Sequence, residues 1–338
     1  MIQSRPLLSL VNICGIPTHV YELLGNKTTI QTDNIINVKH RITNSSSSSS
    51  SIVKPDTIND TLNIRENEIV IMIIPGNPGI GGFYIPFANH LYNLCQKQVT
   101  ITIVSHAGHA PGTLCSNSKQ RYWYNLQDQI NHKLSYIENN IGLKTRLILI
   151  GHSIGSYMIL NMLEKFHNIE HSFLLFPTIE RMSQSPSGQR LTNLFPYLRF
   201  FIPFLIYLFN FLLPNFIKLK ILKYYFNQTP EQDRQAIIDA TLTLFNWKTC
   251  YQMLSMSNEE MLIVQKCQHN LIEKFISKIT FYYGKNDHWV PEEIYDQMKI
   301  LYPHGDIKKC INKYEHAFVL KHSKELANFV YEKMKNKL

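Results

Sequence analysis

One stretch of the chain joins an apolar run to a Gly-x-Ser-x-Gly pentapeptide and then to residues that favour a helix. The run is residues 147–150 (Leu-Ile-Leu-Ile), the pentapeptide is Gly151–Gly155, and the helical residues follow to Met158. In a nucleophile elbow, a serine lies on a sharp turn between a buried strand and a helix, and its hydroxyl projects from the sheet. The pentapeptide alone would also fit an ordinary loop. Its place between strand and helix predicts that Ser153 is a nucleophile.

Strands and helices alternate along most of the chain after residue 68. Apolar runs predict strands at 69–74, 99–104, 146–150, 172–176, 279–284 and 307–311. Helical periodicity predicts helices at 83–95, 120–140, 291–301 and from about residue 317. Nearly continuous apolar strands are typical of a sheet that is covered on both faces. The alternation therefore predicts the α/β class, with a mostly parallel sheet and helices on both faces.

The first sixty residues look like the irregular start of this sheet. Residues 18–23 and 28–30 are predicted to be antiparallel strands joined by a Gly-Asn turn. The serine run at 45–51 cannot contribute a packed face, so we expect a flexible surface loop there. Residues 1–15 contain Arg5 and Pro6 but no convincing apolar core of a signal peptide, which disfavours secretion.

The alternation stops between Pro177 and Lys278. This segment contains aromatic runs interrupted by prolines, followed by predicted helices at 231–244 and 259–276. An insertion between two strands of one sheet is expected to form a lid over the ends of the strands, where loops gather. We therefore predict a core made of residues 1–178 and 278–338, with a helical, hydrophobic lid at 179–277.

The composition excludes several classes of function. The net charge is +9, but the basic residues are dispersed and form no recognition module for DNA or RNA, so no nucleic-acid partner is expected. A basic chain also suits an anionic membrane surface. The six cysteines are far apart and form no CxxC pair. They predict reduced thiols in a cytosol-facing protein, with no disulfide framework and no metal site.

A serine nucleophile needs a base, and the base needs an acid to orient it. Asp287 follows the strand at 279–284 directly and precedes a helix, and His316 follows the last predicted strand. The chain order Ser153, Asp287, His316 is the order found in α/β-hydrolases. The alternative is that Asp287 only caps the helix near Pro291 and that His316 caps or packs on the last helix.

Five other histidines are weaker candidates for the site. His152 is expected to point away around the serine turn and to pack. His288 is too close to Asp287 in sequence to be its partner easily, and His304 precedes the last strand, at the wrong end of the sheet. His106 and His109 are candidates for the pocket wall, and as a metal pair they lack a third ligand nearby.

An acyl-transfer site also needs two donors for the developing oxyanion. The backbone N–H of Ile154, directly after the nucleophile, is the first candidate. The second is the N–H of Asn77 in the loop at 75–79 (Pro-Gly-Asn-Pro-Gly), because that loop follows an earlier strand. The alternative is that this loop is only a Pro/Gly turn. Such chemistry requires no metal and no organic cofactor.

Several motifs resemble the lipid droplet-associated hydrolase family. They are the loop at 75–79 with Phe83-Tyr84, residues 105–109, 151–157, 175–179 and 185–188, and His316-Ala317-Phe318. The resemblance runs from about Ile69 to the C-terminus. It implies a serine hydrolase of the α/β-hydrolase fold on lipid droplets and the endoplasmic reticulum, in a family linked to the turnover of sterol esters and other neutral lipids. It also implies the catalytic triad Ser153, Asp287 and His316.

The segment at 195–217 is the most apolar in the chain, and it is long enough to cross a membrane. Pro203 and Pro214 disfavour one straight helix, and Arg199 and Asn210 interrupt the apolar character. Lysines at 218, 220 and 223 are well placed for anionic head groups. We expect two short helices that meet near Pro203 and lie in one lipid leaflet. The alternative is that these aromatic residues line the underside of the lid.

The sequence thus predicts an ester hydrolase that acts on lipid esters at a lipid droplet or endoplasmic reticulum surface. The alternative, from another class, is a lipid-droplet binding or tethering protein that uses the hydrolase scaffold to position a membrane-embedded lid. An intact triad favours the enzyme.

Overall fold

The computed structural model of the chain describes residues 6–25, 68–109, 123–142 and 144–338. The predicted serine loop at 45–51 and the predicted strand at 28–30 lie outside these residues. The described strands are β1 (Leu7–Ile13), β2 (Ile16–Leu23), β3 (Ile69–Ile74), β4 (Thr100–Val104), β5 (Arg146–His152), β6 (Ile169–Leu175), β7 (Ile279–Tyr283) and β8 (Asp306–Lys309).

The helices lie between and after these strands. The first five are α1 (Ile85–Leu94), α2 (Leu126–Asn140), α3 (Ile154–Met162), α4 (Pro186–Leu191) and α5 (Phe195–Leu212). The other six are α6 (Asn215–Tyr225), α7 (Glu231–Leu244), α8 (Trp247–Ile263), α9 (His269–Phe275), α10 (Glu292–Leu301) and α11 (Ser323–Met334).

All eight strands form one sheet in the order β1-β2-β4-β3-β5-β6-β7-β8. The six strands from β4 to β8 in this order are parallel, whereas β1 and β2 form a hairpin that adds to β4 in the antiparallel direction. The predicted mostly parallel sheet is thereby confirmed.

Successive residues of the central strands point to opposite faces of the sheet, and both faces are covered. In β3 the side chains of Val70, Met72 and Ile74 belong to one buried cluster, together with α2, α3 and α10. Ile69, Ile71 and Ile73 belong to a second cluster, together with α1 and α11. Every residue of β3 is buried. This double burial explains why the strand is apolar throughout instead of alternating.

The first hairpin differs from its prediction. Strand β2 pairs with β1 through the turn at Cys14-Gly15, and its other edge pairs with β4. Both edges of β2 are therefore occupied by β1 and β4, and the predicted partner at 28–30 lies outside the described residues. Sequence analysis did not assign β1, in which alternate residues are exposed. Such an edge strand carries a weaker apolar signal than the buried parallel strands.

The chain between β6 and β7 contains helices α4 to α9 and two short 3-10 helices. Helix α5 runs without interruption through Pro203, so the predicted break at that proline is wrong. Pro203 is buried, and α5 packs along α8, so tertiary packing compensates for the missing N–H. Helix α5 ends at Leu212, and Pro214 is the N-cap residue of α6. Helix α8 also begins before the predicted residue 259.

Candidate active site

Ser153 lies at the turn between β5 and α3, as the strand-serine-helix pattern predicts. Its φ of 53° and ψ of −122° lie in a region that non-glycine residues rarely adopt. The turn needs space on its inner side, because a Cβ on Gly155 would lie 2.4 Å from the carbonyl oxygen of Ile74. The pentapeptide thus lets the serine turn pack directly against the end of β3.

The structure brings the three predicted residues Ser153, Asp287 and His316 together. The Oγ of Ser153 lies 2.9 Å from Nε2 of His316, and Nδ1 of His316 lies 2.7 Å from Oδ2 of Asp287. Ser153 and Asp287 are buried, and the His316 side chain is 18% exposed. In this linear arrangement the serine hydroxyl can pass its proton to the imidazole, and the carboxylate can hold the imidazole in place.

These residues meet because each follows the carboxyl end of a parallel strand. Ser153 follows β5, Asp287 follows β7 by four residues, and His316 lies in the loop after β8. Strands β5, β6, β7 and β8 are neighbours in the sheet, so their carboxyl ends lie along one edge. Loops at this edge of an open parallel sheet form its usual ligand-binding crevice.

Asp287 is held in its ionised form by several hydrogen bonds. Its Oδ1 accepts from the N–H groups of Trp289 at 2.8 Å and Val290 at 3.3 Å, while Oδ2 faces His316. Burial by itself would raise the pKa of Asp287, but the charge of His316 and these hydrogen bonds together lower it below the usual value. The carboxylate can therefore orient the imidazole and stabilise its cationic form. The predicted alternative, a cap on the helix near Pro291, is wrong, because Trp289 and Val290 precede α10 and no side chain caps that helix.

The two predicted oxyanion donors, the N–H groups of Ile154 and Asn77, lie on elements that border Ser153. Ile154 is the first residue of α3, and the N–H at this position has no partner within the helix. Ile74 pairs with Gly151 across β3 and β5, so the loop at 75–79 begins beside the serine turn. Within the described part of the chain, the N–H of Asn77 donates to no acceptor. Neither N–H group thus has a backbone acceptor in the described part of the chain.

The side chain of Asn77 makes contacts that sequence analysis missed. Its Nδ2 lies within 3.0 Å of three acceptors on α8, which are the carbonyl of Met253, Oγ of Ser257 and Oε1 of Glu260. Asn77 and Glu260 are 183 residues apart in sequence, and no local pattern connects them. These bonds attach the loop at 75–79 to a helix of the segment between β6 and β7.

Burial of Glu260 gives this attachment a dependence on pH. Burial raises the pKa of Glu260 from 4.5 to about 8, although the bond from Asn77 opposes the shift. The folded state therefore retains a proton that the unfolded state releases. The stabilisation from this proton is complete below pH 4.5 and is lost as the pH rises towards 8.

We expect Glu260→Gln, which is neutral at every pH, to remove this contribution. The melting temperature of the wild type should fall relative to that of Glu260→Gln as the pH rises from 5 to 8, when both are measured in the same buffers. If the melting temperatures of the wild type and Glu260→Gln instead changed by the same amount from pH 5 to 8, Glu260 would not retain its proton in the folded protein.

His106 and His109 lie behind the loop at 75–79. Both are fully buried, their rings are in edge contact at 5.4 Å, and Nδ1 of His109 accepts from the N–H of Gly79 at 3.0 Å. Burial, followed by the charge of Lys133, lowers the pKa of His109 to about 3. They therefore support the loop as neutral side chains. Among the described residues, no cluster of three His, Cys, Asp or Glu side chains could hold a metal ion.

The remaining histidines occupy different positions. His288 and His304 are exposed, and the hydrogen bonds that join Ser153, His316 and Asp287 involve neither of them. His152 is buried and packs against Phe176 and Phe318, as predicted, but packing is an incomplete description. Both of its ring nitrogens also lie at hydrogen-bond distance from a partner.

Helix α5 presents an apolar surface to solvent. Among the described residues it is the one helix that is long and apolar enough to cross a membrane, and only 11% of it is buried. Its outer residues, which we call the α5 face, are Tyr197, Phe200, Phe201, Phe204, Leu205, Tyr207, Leu208, Phe211 and Leu212. A continuous exposed apolar patch of this kind marks a binding surface.

Of the two polar residues predicted to interrupt this surface, Arg199 is half-buried and Asn210 is bonded within the protein. Asn210 donates to the carbonyl of Phe245 and accepts from Lys218 at 2.8 Å. Lys218 is buried, so its predicted contact with lipid head groups is wrong. Lys220 and Lys223 are exposed on α6.

Comparisons with known proteins give a consistent result. A model of the family described as lipid-droplet associated hydrolase matches residues 67–319. Proteins named lipid droplet-associated hydrolase are 35% identical in Gallus gallus, over 80% of this chain and 86% of the relative, and 36% identical in Mus musculus, over 79% and 85%. The structure of a thioesterase domain from the curacin biosynthetic pathway superposes with a TM-score of 0.59 at 11% identity and covers 97% of this chain and 99% of its own. The predicted α/β-hydrolase fold is confirmed.

Proposed function

This chain belongs to the lipid-droplet associated hydrolase family, and on that basis we propose that it is a serine ester hydrolase that acts on neutral lipid esters, such as sterol esters, at the lipid droplet surface. The observation that carries the proposal is the alignment of Ser153 Oγ, the His316 imidazole and the Asp287 carboxylate at 2.9 and 2.7 Å. The exposed α5 face supports a substrate that is presented by a lipid surface.

In the proposed reaction, Ser153 Oγ attacks the carbonyl carbon of the ester while Nε2 of His316 takes the serine proton. The tetrahedral intermediate carries a negative oxygen, which accepts hydrogen bonds from the N–H groups of Asn77 and Ile154. His316 then protonates the departing alcohol, and the acyl group remains on Ser153. Asp287 holds the imidazole in the tautomer with the proton on Nδ1 and stabilises its cation.

Water completes the cycle in a second displacement. His316 removes a proton from the water, the resulting oxygen attacks the acyl-serine carbonyl, and the proton returns to Ser153 as the carboxylic acid leaves. Each step uses side chains and main-chain groups of this chain. The proposed chemistry requires no cofactor.

We further propose that residues 179–277 form a lid on the core of residues 1–178 and 278–338, and that the segment 195–217 holds it in a lipid leaflet. Helix α5 packs on α8 through one side and exposes the other, which suits a helix lying in the plane of the surface. The exposed Lys220 and Lys223 would face anionic head groups. The protein would then sit on the cytosolic side of lipid droplets and the endoplasmic reticulum.

The alternative is a tethering protein with little turnover, and the α5 face favours this function as much as it favours the enzyme. A fluorophosphonate probe separates the two, because it phosphonylates only a serine that a base has activated. We expect the probe to label the wild type at Ser153 and not Ser153→Ala. A folded wild type that the probe does not label would support the tether.

The proposed oxyanion donor is tested by two substitutions at one position. Asn77→Ala loses the contacts with α8 but keeps the backbone N–H, whereas Asn77→Pro loses both. We expect Asn77→Ala to lower the melting temperature, and Asn77→Pro to have a turnover about 10²–10³-fold below that of Asn77→Ala, as is typical of one lost oxyanion donor.

Both Asn77 variants must melt cooperatively before their turnover is compared, because the Pro variant also restricts φ. Equal turnover of the two folded variants on the same soluble ester would mean that the second oxyanion donor lies elsewhere.

A further inference from the structure

The imidazole of His152 connects two loops that each supply part of the proposed active site. Its Nε2 lies 2.9 Å from the carbonyl oxygen of His316, and its Nδ1 lies 2.6 Å from the hydroxyl of Tyr84. The same hydroxyl accepts a hydrogen bond of 2.7 Å from the N–H of Gly76. One imidazole therefore joins the main chain of the proposed base to the main chain directly before Asn77.

Each proton in this chain of hydrogen bonds has one position. A carbonyl oxygen only accepts, so Nε2 of His152 carries the proton. Burial, followed by the charge of His316, lowers the pKa of His152 to about 3, so the ring is neutral near pH 7 and Nδ1 accepts. Tyr84 then donates to Nδ1, and burial raises the pKa of this phenol above its usual value. Its oxygen remains free to accept from Gly76.

The surroundings of the ring fix its position. A Cβ on Gly76 would lie 2.9 Å from Nδ1 of His152, so the loop can approach the ring only because residue 76 is glycine. Phe176 and Phe318 make edge contacts with the ring at 6.2 and 5.0 Å between centroids. The segment 310–317 contains no helix or strand, so contacts such as these determine where His316 lies. The carbonyl of His316 also accepts from the N–H of Phe318.

We propose that His152 is a positioning residue, which holds the proposed base and the oxyanion loop at a fixed separation from Ser153. The proposal rests on the proposed function and deepens it. Buried ring nitrogens are normally paired, so pairing alone does not distinguish His152 from a structural histidine. Here both are paired, and each partner leads to a different part of the proposed catalytic machinery.

Three substitutions at position 152 separate the two connections. Phe keeps the ring shape and loses both hydrogen bonds. Gln places an amide N–H near the position of Nε2 and restores the bond to His316, whereas Asn places an amide oxygen near Nδ1 and restores the bond from Tyr84. We expect His152→Phe to lower kcat on a soluble ester about 10–100-fold with little change in KM, because a shift of about 1 Å in a catalytic group costs about this much.

His152→Gln and His152→Asn should each recover part of the lost kcat. A double-mutant cycle with Tyr84→Phe provides the second measurement. We expect the double variant of His152→Phe and Tyr84→Phe to be little worse in kcat than His152→Phe, because both substitutions break one chain of bonds.

His171→Phe is the matched control. His171 is also buried with both ring nitrogens paired, to Thr280 Oγ1 and Lys337 Nζ, but it lies near the start of β6, at the opposite edge of the sheet. The His171→Phe variant should be less stable than the wild type and should keep the wild-type kcat. The proposal is overturned if His152→Phe keeps wild-type kcat, if neither conservative variant recovers activity, or if the two substitutions of the cycle are additive. Failure of Ser153 as nucleophile would instead appear as an active Ser153→Ala.

An independent observation concerns a cleft between α5 and the first turns of α8, whose lining includes Phe200, Phe204 and Tyr207 of the α5 face. Its volume is about 630 Å³, within the range of ligand sites. Its walls are mostly aromatic and it contains two cationic side chains; the lining residues are Arg199, Phe200, Pro203, Phe204, Tyr207, Trp247, Lys248 and Tyr251. None of them belongs to the proposed catalytic site.

The two cations in this cleft lack an anionic partner. Within the described ranges, neither Arg199 nor Lys248 forms an ion pair; Lys248 is exposed to solvent, whereas Nε of Arg199 is buried without any acceptor. The guanidinium of Arg199 lies over the ring of Phe200, and Nζ of Lys248 lies over the ring of Trp247. A buried donor without a partner calls for an acceptor from a ligand. Apolar walls and an unpaired guanidinium together fit an acyl chain that ends in an anion.

We infer that this cleft binds a long-chain fatty acid by its carboxylate. Ester hydrolysis, the proposed reaction, yields this class of product. Tyr251 in the cleft and Ser257 beside Asn77 are six residues apart on α8, about 9 Å along the helix. The cleft therefore lies near the oxyanion loop and on the side of the molecule that faces lipid.

Quenching of Trp247 by 9,10-dibromostearate tests this inference. The protein is the full chain carrying Ser153→Ala, bound to phosphatidylcholine vesicles, so that no ester is cleaved. We expect the brominated acid to quench at about tenfold lower content than its methyl ester, because only the acid forms charge-assisted hydrogen bonds. In the double variant Arg199→Gln, Lys248→Gln, quenching by the brominated acid should fall to the level seen with the methyl ester. The Trp247→Phe variant measures the quenching of the other tryptophans, which is subtracted as background.

Equal quenching by acid and ester, or no effect of the double variant, overturns the inference. Stronger displacement of the brominated acid by phosphatidic acid than by stearate also overturns it and assigns the cleft to a phospholipid head group. Because the measurement uses Ser153→Ala, its outcome is independent of whether the chain is an esterase.

Discussion

Ser153→Ala and His316→Ala are each expected to abolish hydrolysis of a short-chain soluble ester, with a fall in kcat on the order of 10⁶-fold. The reason is the single line of contacts from Ser153 Oγ through His316 to Asp287. The double variant should be little worse than either single one, because the members of such a line act as a unit. The measurement is kcat at saturating ester.

Asp287→Asn should leave more activity than either of these variants. An amide cannot hold the imidazole in the required tautomer, and a loss of about 10⁴-fold is typical of this change in a serine triad. The variant should also lose stability at neutral pH, because the lowered pKa of Asp287 stabilises the fold above the carboxyl's usual pKa, and this contribution disappears as the pH falls through the lowered value.

Folded controls make this series decisive. His288→Ala and His304→Ala remove exposed histidines that take no part in the hydrogen bonds among Ser153, His316 and Asp287, and they should keep wild-type kcat. If folded Ser153→Ala retained most of its activity, the nucleophile would be assigned wrongly, and the activity would have to come from another group.

The parts of the molecule that sequence analysis anticipated share one physical cause. Strands β3, β5 and β7 are buried on both faces, so their apolar character is visible without knowledge of the fold. Ser153 and Asp287 could be selected because each follows such a strand, and His316 because it follows the last predicted strand, β8, which is only partly buried. The carboxyl ends of parallel strands meet at one edge of the sheet. Their catalytic roles remain a prediction.

Other features depend on contacts between distant segments, which no local pattern encodes. The side chain of Asn77 bonds to Glu260, and His152 bonds to the main chain of His316, 164 residues away. Pro203 is tolerated inside α5 because that helix is packed on α8. In each case a tertiary contact decides what the residue does, and rules based on neighbours in sequence give an incomplete or wrong answer.

Helix α8 links the two surfaces on which the proposed function depends. One part of it packs against α5, which carries the exposed apolar face. Residues 253–260 of the same helix hold the side chain of Asn77. A change in the α5 face can therefore be tested for its effect on lipid binding and, separately, for an effect on catalysis.

Replacing Phe204, Leu205, Leu208 and Leu212 by serine is expected to release the protein from lipid droplets into the cytosol. All four side chains are at least 40% exposed, so their replacement removes apolar surface that would contact lipid and leaves the packing on α8 in place. Burying one large apolar side chain contributes about 1.5–3 kcal/mol, so four of them dominate the binding energy. Cell fractionation measures the distribution, and a soluble-ester assay on the same protein should show wild-type kcat, since none of the four contacts the proposed triad.

A matched control removes apolar surface elsewhere. Ile300, Leu301 and Ile311 are 77%, 57% and 90% exposed, away from α5, and their replacement by serine should leave the protein on droplets. If the α5 variant stays on droplets at the wild-type level, the anchor lies in another part of the chain. If it stays there and also loses activity, the α5 residues serve the lid and its contact with substrate. Release with retained soluble-ester activity is the result that separates lipid anchoring from catalysis, as expected when one helix face contacts lipid and the triad lies at the edge of the sheet.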